Sequence, residues 1–377
     1  MKKIKLIIIA IVALSVTQCT KPSSSSDPTP TLNIPATYDS SGFAGNTSNE
    51  VTMQEDLENV IGTIEEARDA SITLNQGEIL SIYNNQIKSK TQTEYQPFIE
   101  GWIKDISKAS GKTFEPSATI TGTGGTYIGK KDSSYLFDAY GADLGEIIEK
   151  TMFGAYFYNN VLLLLDQPLT TTTVDKMVVL FGASPLFPNS YTTNNTKTPD
   201  VFMANYATRR DKNDGKGYYT QAKTALITLK VAINGGNSYK NYQTQAISDF
   251  KKAWEKAAMA SVINYCKSTI GIISKTNPSP YDYSRAMHAC SEAAGFAFGW
   301  YYIPQAHKII TKAQLDEILP LLNLLPNGTS TFYKLKTDSF NQVTSLNLAI
   351  TKLQAIYGFT NEEVNDFGSN WVSVQKR

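Results

Sequence analysis

The chain reads as an all-α protein. Two patterns carry that reading. Apolar residues recur at helical spacing over several long stretches, and the apolar–polar alternation of a half-buried strand is absent over useful lengths. The punctuation agrees with them. Thr311-Lys312-Ala313-Gln314 has the form of a capping box, and Asn277-Pro278-Ser279-Pro280 separates two helical segments as a turn. At 377 residues the expectation is one large helical domain or two fused bundles.

Taken in order, Tyr38 to Asn46 reads as an irregular lead-in loop. Thr52 to Ala70 follows as a helix, with Met53, Leu57, Val60, Ile61, Ile64 and Ala67 on one face. Gly77 to Gln86 is a shorter helix, and Tyr95 to Ser110 another, with Phe98, Trp102, Ile103 and Ile106 inside. Gly111 to Ser134 is rich in Gly, Thr and Ser and reads as a long surface loop. Its Gly122, Gly124 and Gly125 lack the Lys-Ser/Thr of a phosphate loop. Asp143 to Leu165 is a strong helix through Leu144, Ile147, Ile148, Met152 and Phe153. Val174 to Phe181 is shorter and is stopped by Gly182 and the Pro185/Pro188 turn. A polar loop, Tyr191 to Asp200, leads to a helix from Val201 to Arg209. Asp211 to Tyr218 starts like a calcium loop, but its twelfth position is Ala222, so it reads as a turn joining helices. Helices then follow at Tyr219 to Asn234, Ala246 to Thr269, Tyr281 to Tyr302, from Thr311 into Leu319, Asp338 to Tyr357 and Asn361 to Phe367.

The first residues have the form of a secretory signal. Lys2, Lys3 and Lys5 precede an apolar run from Leu6 to Val16 that is too short to span a bilayer. Cys19 then stands before a Ser/Pro-rich segment, which resembles a bacterial lipoprotein cleavage site. The expectation is a signal peptide at 1–18, lipidation of Cys19, a flexible tether over 19–37 and an all-α domain over 38–377. Removing the three signal lysines takes Lys+Arg from 35 to 32 against 34 acids, about −2 overall, which excludes nucleic acid as an expected partner.

The most informative stretch is Tyr281 to Pro304. His288 and Glu292 are four apart, so a helix sets them on one face. Ala289, Ala293, Ala297, Gly295 and Gly299 give that helix small residues where another helix can approach closely. Two readings follow: a core histidine bonded to its helix neighbour, or the start of a binding site with Ser291. Two groups are too few for zinc. Cys266 and Cys290 are each twelve residues from Pro278, so an antiparallel hairpin makes them neighbours. A disulfide between them is then one outcome and two buried thiols the other. The same arithmetic sets Asn264 opposite Glu292. Glu149-Lys150 and Glu255-Lys256 open similar passages of small residues, Met and an aromatic. This suggests an internal duplication, with halves at about 38–210 and 211–377.

Three stretches carry a family resemblance: Gly141 to Asn160 (GADLGEIIEKTMFGAYFYNN), the Lys230 to Asn234 region, and Arg285 to Pro304 (RAMHACSEAAGFAFGWYYIP). With them the chain resembles a family of lipoproteins widespread in Bacteroidetes, catalogued as domain of unknown function 4856. In that family the helix after the first stretch usually reads His-His-Trp-Asp-Glu-Ala-Phe-Gly-Tyr. Here Asp175 to Gly182 keeps the glycine without the His and acid positions, whereas His288, Ser291 and Glu292 are retained. The architecture is also similar to imelysin-like proteins, duplicated helical bundles on bacterial surfaces linked to iron uptake and, for some, to peptidase activity. Their His and Glu are three apart rather than four.

The family has no settled activity to carry over; the tether, the duplicated all-α fold and the polar group on one helix lead to the expectation of a lipid-anchored outer-membrane lipoprotein that binds a small ligand or an envelope protein. Its candidate contacts are His288, Ser291, Glu292, Glu255 and Asn264, with no cofactor required. The alternative is an imelysin-like metal-dependent peptidase or iron-uptake protein, which would need further ligands from Asp143, Glu146, Glu149 or Glu255.

Overall fold

The computed structural model describes residues 30–114, 124–128, 134–193 and 196–377. The expected signal segment and Cys19 lie outside the described residues. Residues Leu32–Arg377 form one compact unit. It is all-α, as the periodicity predicts, apart from one small antiparallel strand pair.

The elements in chain order are α1 (Phe43–Glu66), α2 (Gln76–Ile82), α3 (Gln96–Ala109), β1 (Gly125–Tyr127), β2 (Tyr135–Phe137), α4 (Leu144–Met152), α5 (Asn159–Leu165), α6 (Thr171–Phe181), α7 (Phe202–Arg210), α8 (Tyr218–Asn234), α9 (Lys240–Ile273), α10 (Pro280–Phe298), α11 (Lys312–Ile318), α12 (Lys334–Thr337), α13 (Ser339–Tyr357), α14 (Asn361–Asp366) and α15 (Trp371–Gln375). The long helix α9 is the axis, with α7, α8, α10 and α13 packed on it, while α4 lies against α10 and α1 against α6. The centre is aromatic. The Tyr158 ring sits between Trp254 and Trp300, at 5.2 and 4.7 Å between centroids, and both indoles are fully buried. Among the described residues no helix is long and apolar enough to cross a membrane.

Three expectations change. First, α1 begins at Phe43, inside the stretch read as loop. Its opening residues are polar and carry no apolar stripe, but tertiary partners hold them. Asn46 donates to Asp175, and Glu50 pairs with Lys176 at 3.2 Å. Second, the Asp143–Leu165 helix is interrupted by a π-helical turn at Phe153–Tyr158, between α4 and α5. Third, the Gly-rich stretch read as surface loop carries β1, which pairs with β2 just after it. Thr126 is fully buried there, its hydroxyl donating to the Ala67 carbonyl at 2.6 Å, and Phe137 packs on Phe114. Strands of three residues are too short for alternation to register.

The small residues of α10 do what their spacing suggests. A Cβ added at Gly295 would stand 2.9 Å from the Ile147 carbonyl oxygen, and one at Gly154 would stand 2.1 Å from that of Gly299. Helix α10 and the segment beginning with α4 therefore run backbone to backbone, and any side chain larger than hydrogen would force them apart.

A second seam is closed by charge. The Lys230 ammonium reaches the Asp175 carboxylate at 2.5 Å and the Asp39 carbonyl at 2.7 Å. Asp175 also accepts from the Tyr38 hydroxyl and from Asn46 Nδ2. Asp175 and Lys230 are both buried, and Lys230 lies 4.5 Å from the centre of the Tyr38 ring. The network pins the segment before α1 to α6 and α8.

Lys230→Met would leave the Asp175 carboxylate buried without its cation. The expected loss is about 3–5 kcal/mol in urea denaturation, with much of it recovered in the Lys230→Met/Asp175→Leu double variant. A single variant within ~1 kcal/mol of wild type would show that water or a rearranged donor replaces the lysine.

Candidate functional site

The groups of the site come mainly from two helices. Asp143 caps α4, its side chain accepting from the Glu146 amide. Glu146 and Lys150 are four apart on α4 and form an ion pair at 2.7 Å. Facing them, α10 presents His288 and Glu292, also four apart. The close approach of the two helices removes water from between these charges, so each must be answered by another side chain.

The answers are specific. Lys150, with 2% of its side chain exposed, touches Glu146 and Glu149 and lies 3.7 Å from Glu292. Arg68, from the turn after α1, binds the other Glu146 oxygen at 2.6 Å. His288 Nδ1 meets Asp143 Oδ2 at 2.8 Å, and its Nε2 stands 3.8 Å from Glu292 Oε2. The Tyr206 ring lies under the Lys150 ammonium at 5.0 Å, and the Tyr135 ring covers the imidazole at 4.3 Å.

This field moves the titrations. Burial opposes the charge on His288, but the carboxylates of Glu146, Asp143 and Glu292 outweigh it and push the imidazole up to about 9. His288 is therefore an imidazolium at neutral pH, with one fifth of its side chain exposed. Burial also works against the Glu146 carboxylate, yet Lys150, His288 and Arg68 hold it well below the usual range. Glu292 and Glu149 move the other way, raised by burial and by the negative charge of Glu146.

Of the residues singled out in the sequence, the fold brings His288, Ser291 and Glu292 to this place. Ser291 serves the scaffold: its hydroxyl donates to the Met287 carbonyl and accepts from the Asp143 amide. Glu255 does not belong here. Its carboxylate accepts from the amides of Ile309 and Ile310 and from the Tyr357 hydroxyl, holding the loop before α11. Asn264 is also elsewhere, donating to the Phe367 carbonyl at 2.7 Å. Cys266 and Cys290 are both buried with free thiols. The Cys290 thiol faces the Leu322 carbonyl at 3.5 Å.

Lys150, Arg68, Tyr135 and Tyr206 were not expected. The Glu146/Lys150 spacing on one helix face is a legible signal for the first. Nothing in the sequence points to the others, which arrive from distant segments. Glu149-Lys150 and Glu255-Lys256, the basis of the duplication expectation, are used differently. Lys150 is buried among acids, whereas Lys256 lies over the Tyr218 and Phe359 rings.

Asp143, Glu146 and His288 offer ligand atoms within 4.8 Å of one another, a spacing at which a metal ion can be held. Their ligand atoms are already engaged by charged partners. Both Glu146 oxygens carry cations, and Asp143 and His288 Nδ1 engage each other. A metal would have to displace Arg68 or Lys150 and the imidazole proton, so the donor set fits an ion-pair network better than a resident metal.

The chain matches no known protein family, curated protein or solved structure to which it was compared.

His288 links protonation to stability. A rise from 6.5 in the unfolded chain to about 9 in the fold corresponds to roughly 3 kcal/mol of coupling. Because the folded value is the higher one, that contribution is complete below about pH 6.5 and is lost as pH rises through about 9. His288→Gln should therefore cost most at pH 6 and least near pH 10, read as the difference in denaturation free energy from wild type. A cost independent of pH would mean that folding leaves the imidazole's titration unshifted, and a cost that grows with pH would mean that the imidazole is neutral in the fold.

Proposed function

We propose that this protein is a lipid-anchored binding protein of the bacterial cell envelope, tethered through Cys19 to the outer membrane. Its ligand engages the accessible edge of the His288 network. The observation that carries the reading is the imidazolium itself. With Arg68 and Glu149 it forms the edge at which the charge network between α4 and α10 reaches solvent. Strongly shifted titratable groups concentrated at an accessible spot mark binding and catalytic sites more often than plain surface.

The same geometry speaks against the hydrolase alternative. A metal-dependent peptidase needs an open coordination position and a base free to take a proton from water. Here His288 holds its proton firmly at neutral pH and the nearest carboxylates are engaged by cations. The resemblance of Arg285 to Pro304 to envelope lipoproteins, and the lipoprotein-like residues around Cys19, support the envelope location.

Two experiments test this. Wild-type protein and His288→Ala, purified without a His tag or chelator, are compared by metal mass spectrometry and then assayed on peptide and glycan panels from cell envelopes. The expected result is no stoichiometric metal and no turnover, with binding to one ligand class that weakens at least tenfold in the variant. Stoichiometric metal lost in His288→Ala, or turnover of any panel member, would replace the binding reading with the hydrolase. Separately, Cys19→Ser should lose incorporated fatty acid and leave the membrane fraction; retention of both would overturn the anchor.

A further inference from the structure

The edge at which the His288 network reaches solvent is bordered by tyrosines. The Tyr135 ring lies on the imidazole at 4.3 Å between centroids. Tyr281, in the first turn of α10, stacks on Tyr127 of β1 at 6.1 Å and 26°. The guanidinium of Arg285, exposed one turn further along α10, stands 5.9 Å from the Tyr281 ring. Burial, with Tyr281 and Asp143, pushes the Tyr135 phenol up to about 12 against the pull of Arg285 and Arg68. Its hydroxyl therefore keeps its proton at neutral pH. That Tyr281, Arg285 and Arg68 all act on this phenol places them with His288 on one surface. Tyr127, Tyr135 and Tyr281 are each partly exposed.

The charges along this edge are answered on both sides. Arg68 lies between Glu65 at 2.9 Å and Glu146 at 2.6 Å, and the imidazolium between Asp143 at 2.8 Å and Glu292 at 3.8 Å. An anion placed here meets the carboxylates, and a cation meets the guanidinium and the imidazolium, so neither finds a net charge to pair with. A purely apolar ligand covers the tyrosines but strips water from the ions without replacing it. What the edge offers is fixed donors beside fixed acceptors, with aromatic rings next to them. An uncharged ligand rich in hydroxyls satisfies all of these. Its hydroxyls donate to carboxylates and accept from guanidinium and imidazolium, and its C–H surface packs on the rings.

We propose that the ligand class of the His288 edge is a neutral glycan, its hydroxyls bound by Arg68, Arg285 and His288 and its sugar rings laid against Tyr135 and Tyr281. This rests on the reading of that edge as a binding site and adds the chemistry that it selects. A neutral glycan has no ionic attraction for salt to screen, whereas a charged ligand on the same edge does.

Calorimetry on the full chain tests it. Maltohexaose, cellohexaose and mannohexaose are the neutral probes, a galacturonic acid hexamer is the anionic one, and hexalysine and hexaglutamate are the charged peptides. The expected result is saturable binding of at least one neutral hexamer, at least tenfold tighter than the galacturonate, with an affinity that changes less than twofold between about 50 and 500 mM sodium chloride. Tyr281→Ala should weaken that binding at least tenfold and Arg285→Gln at least fivefold. No binding of any neutral hexamer, a preference for galacturonate or a charged peptide that falls with salt, or folded variants that bind the sugar like wild type would each overturn the proposal. Should Tyr281→Ala fail to fold, Arg285→Gln at its exposed position and the salt series decide it. A charged peptide whose binding is lost in His288→Ala would remove the glycan and leave the edge a binding site. No binding of any probe, sugar or peptide, would remove both.

Discussion

Lys150 sets the constraint on which the centre of this protein depends. Helices α4 and α10 meet at glycine, backbone against backbone, and water cannot pass between them. An ammonium in that seam has to be neutralised from within. Glu146 does so from one turn earlier on the same helix, while Glu149 and Glu292 close around it. The excess of acid this requires is balanced in turn by Arg68 and by a proton on His288. The imidazolium is thus a consequence of how tightly two helices pack, several residues away from it.

The molecule contains a second buried lysine, and the comparison separates scaffold from candidate site. Lys230 meets one carboxylate, one carbonyl and one aromatic ring, and Asp175 has its partners in full. That network joins three parts of the chain and stays closed. The Lys150 network has more charges than it needs to bind one helix to another. It extends outward through His288, Glu149 and Arg68 to a partly exposed edge. Buried ion pairs are seldom more stabilising than a well-packed apolar core. The size of this network and its solvent-facing edge are what the proposed binding role rests on.

Arg210 shows the opposite situation, a buried charge with too few partners. Helix α7 carries Tyr206 toward the Lys150 network and Arg210 toward a pocket beside α14, so one short helix borders both regions. The carbonyls beyond α14 hold Arg210 in place without neutralising it.

The all-α class was legible in the sequence, because helical periodicity is written locally in residues such as Leu144, Ile147, Ile148 and Met152. So was the close approach of α10, since its small residues repeat at the helical turn. His288, Ser291 and Glu292 could be picked out, as could Asp143, Glu146 and Glu149 as companions. Other assignments depended on contacts between segments far apart in the chain. Glu255 looked equivalent to Glu149, yet three donors around the loop before α11 use it as a clamp. Asn264 looked opposite to Glu292, but its amide donates to the Phe367 carbonyl. Arg68, Tyr135 and Tyr206 have no local signature, and they reach the site only because α1, β2 and α7 pack around the seam. Periodicity records which face of a segment is buried. Which other segment it is buried against, and hence which charges meet, is decided by the tertiary fold.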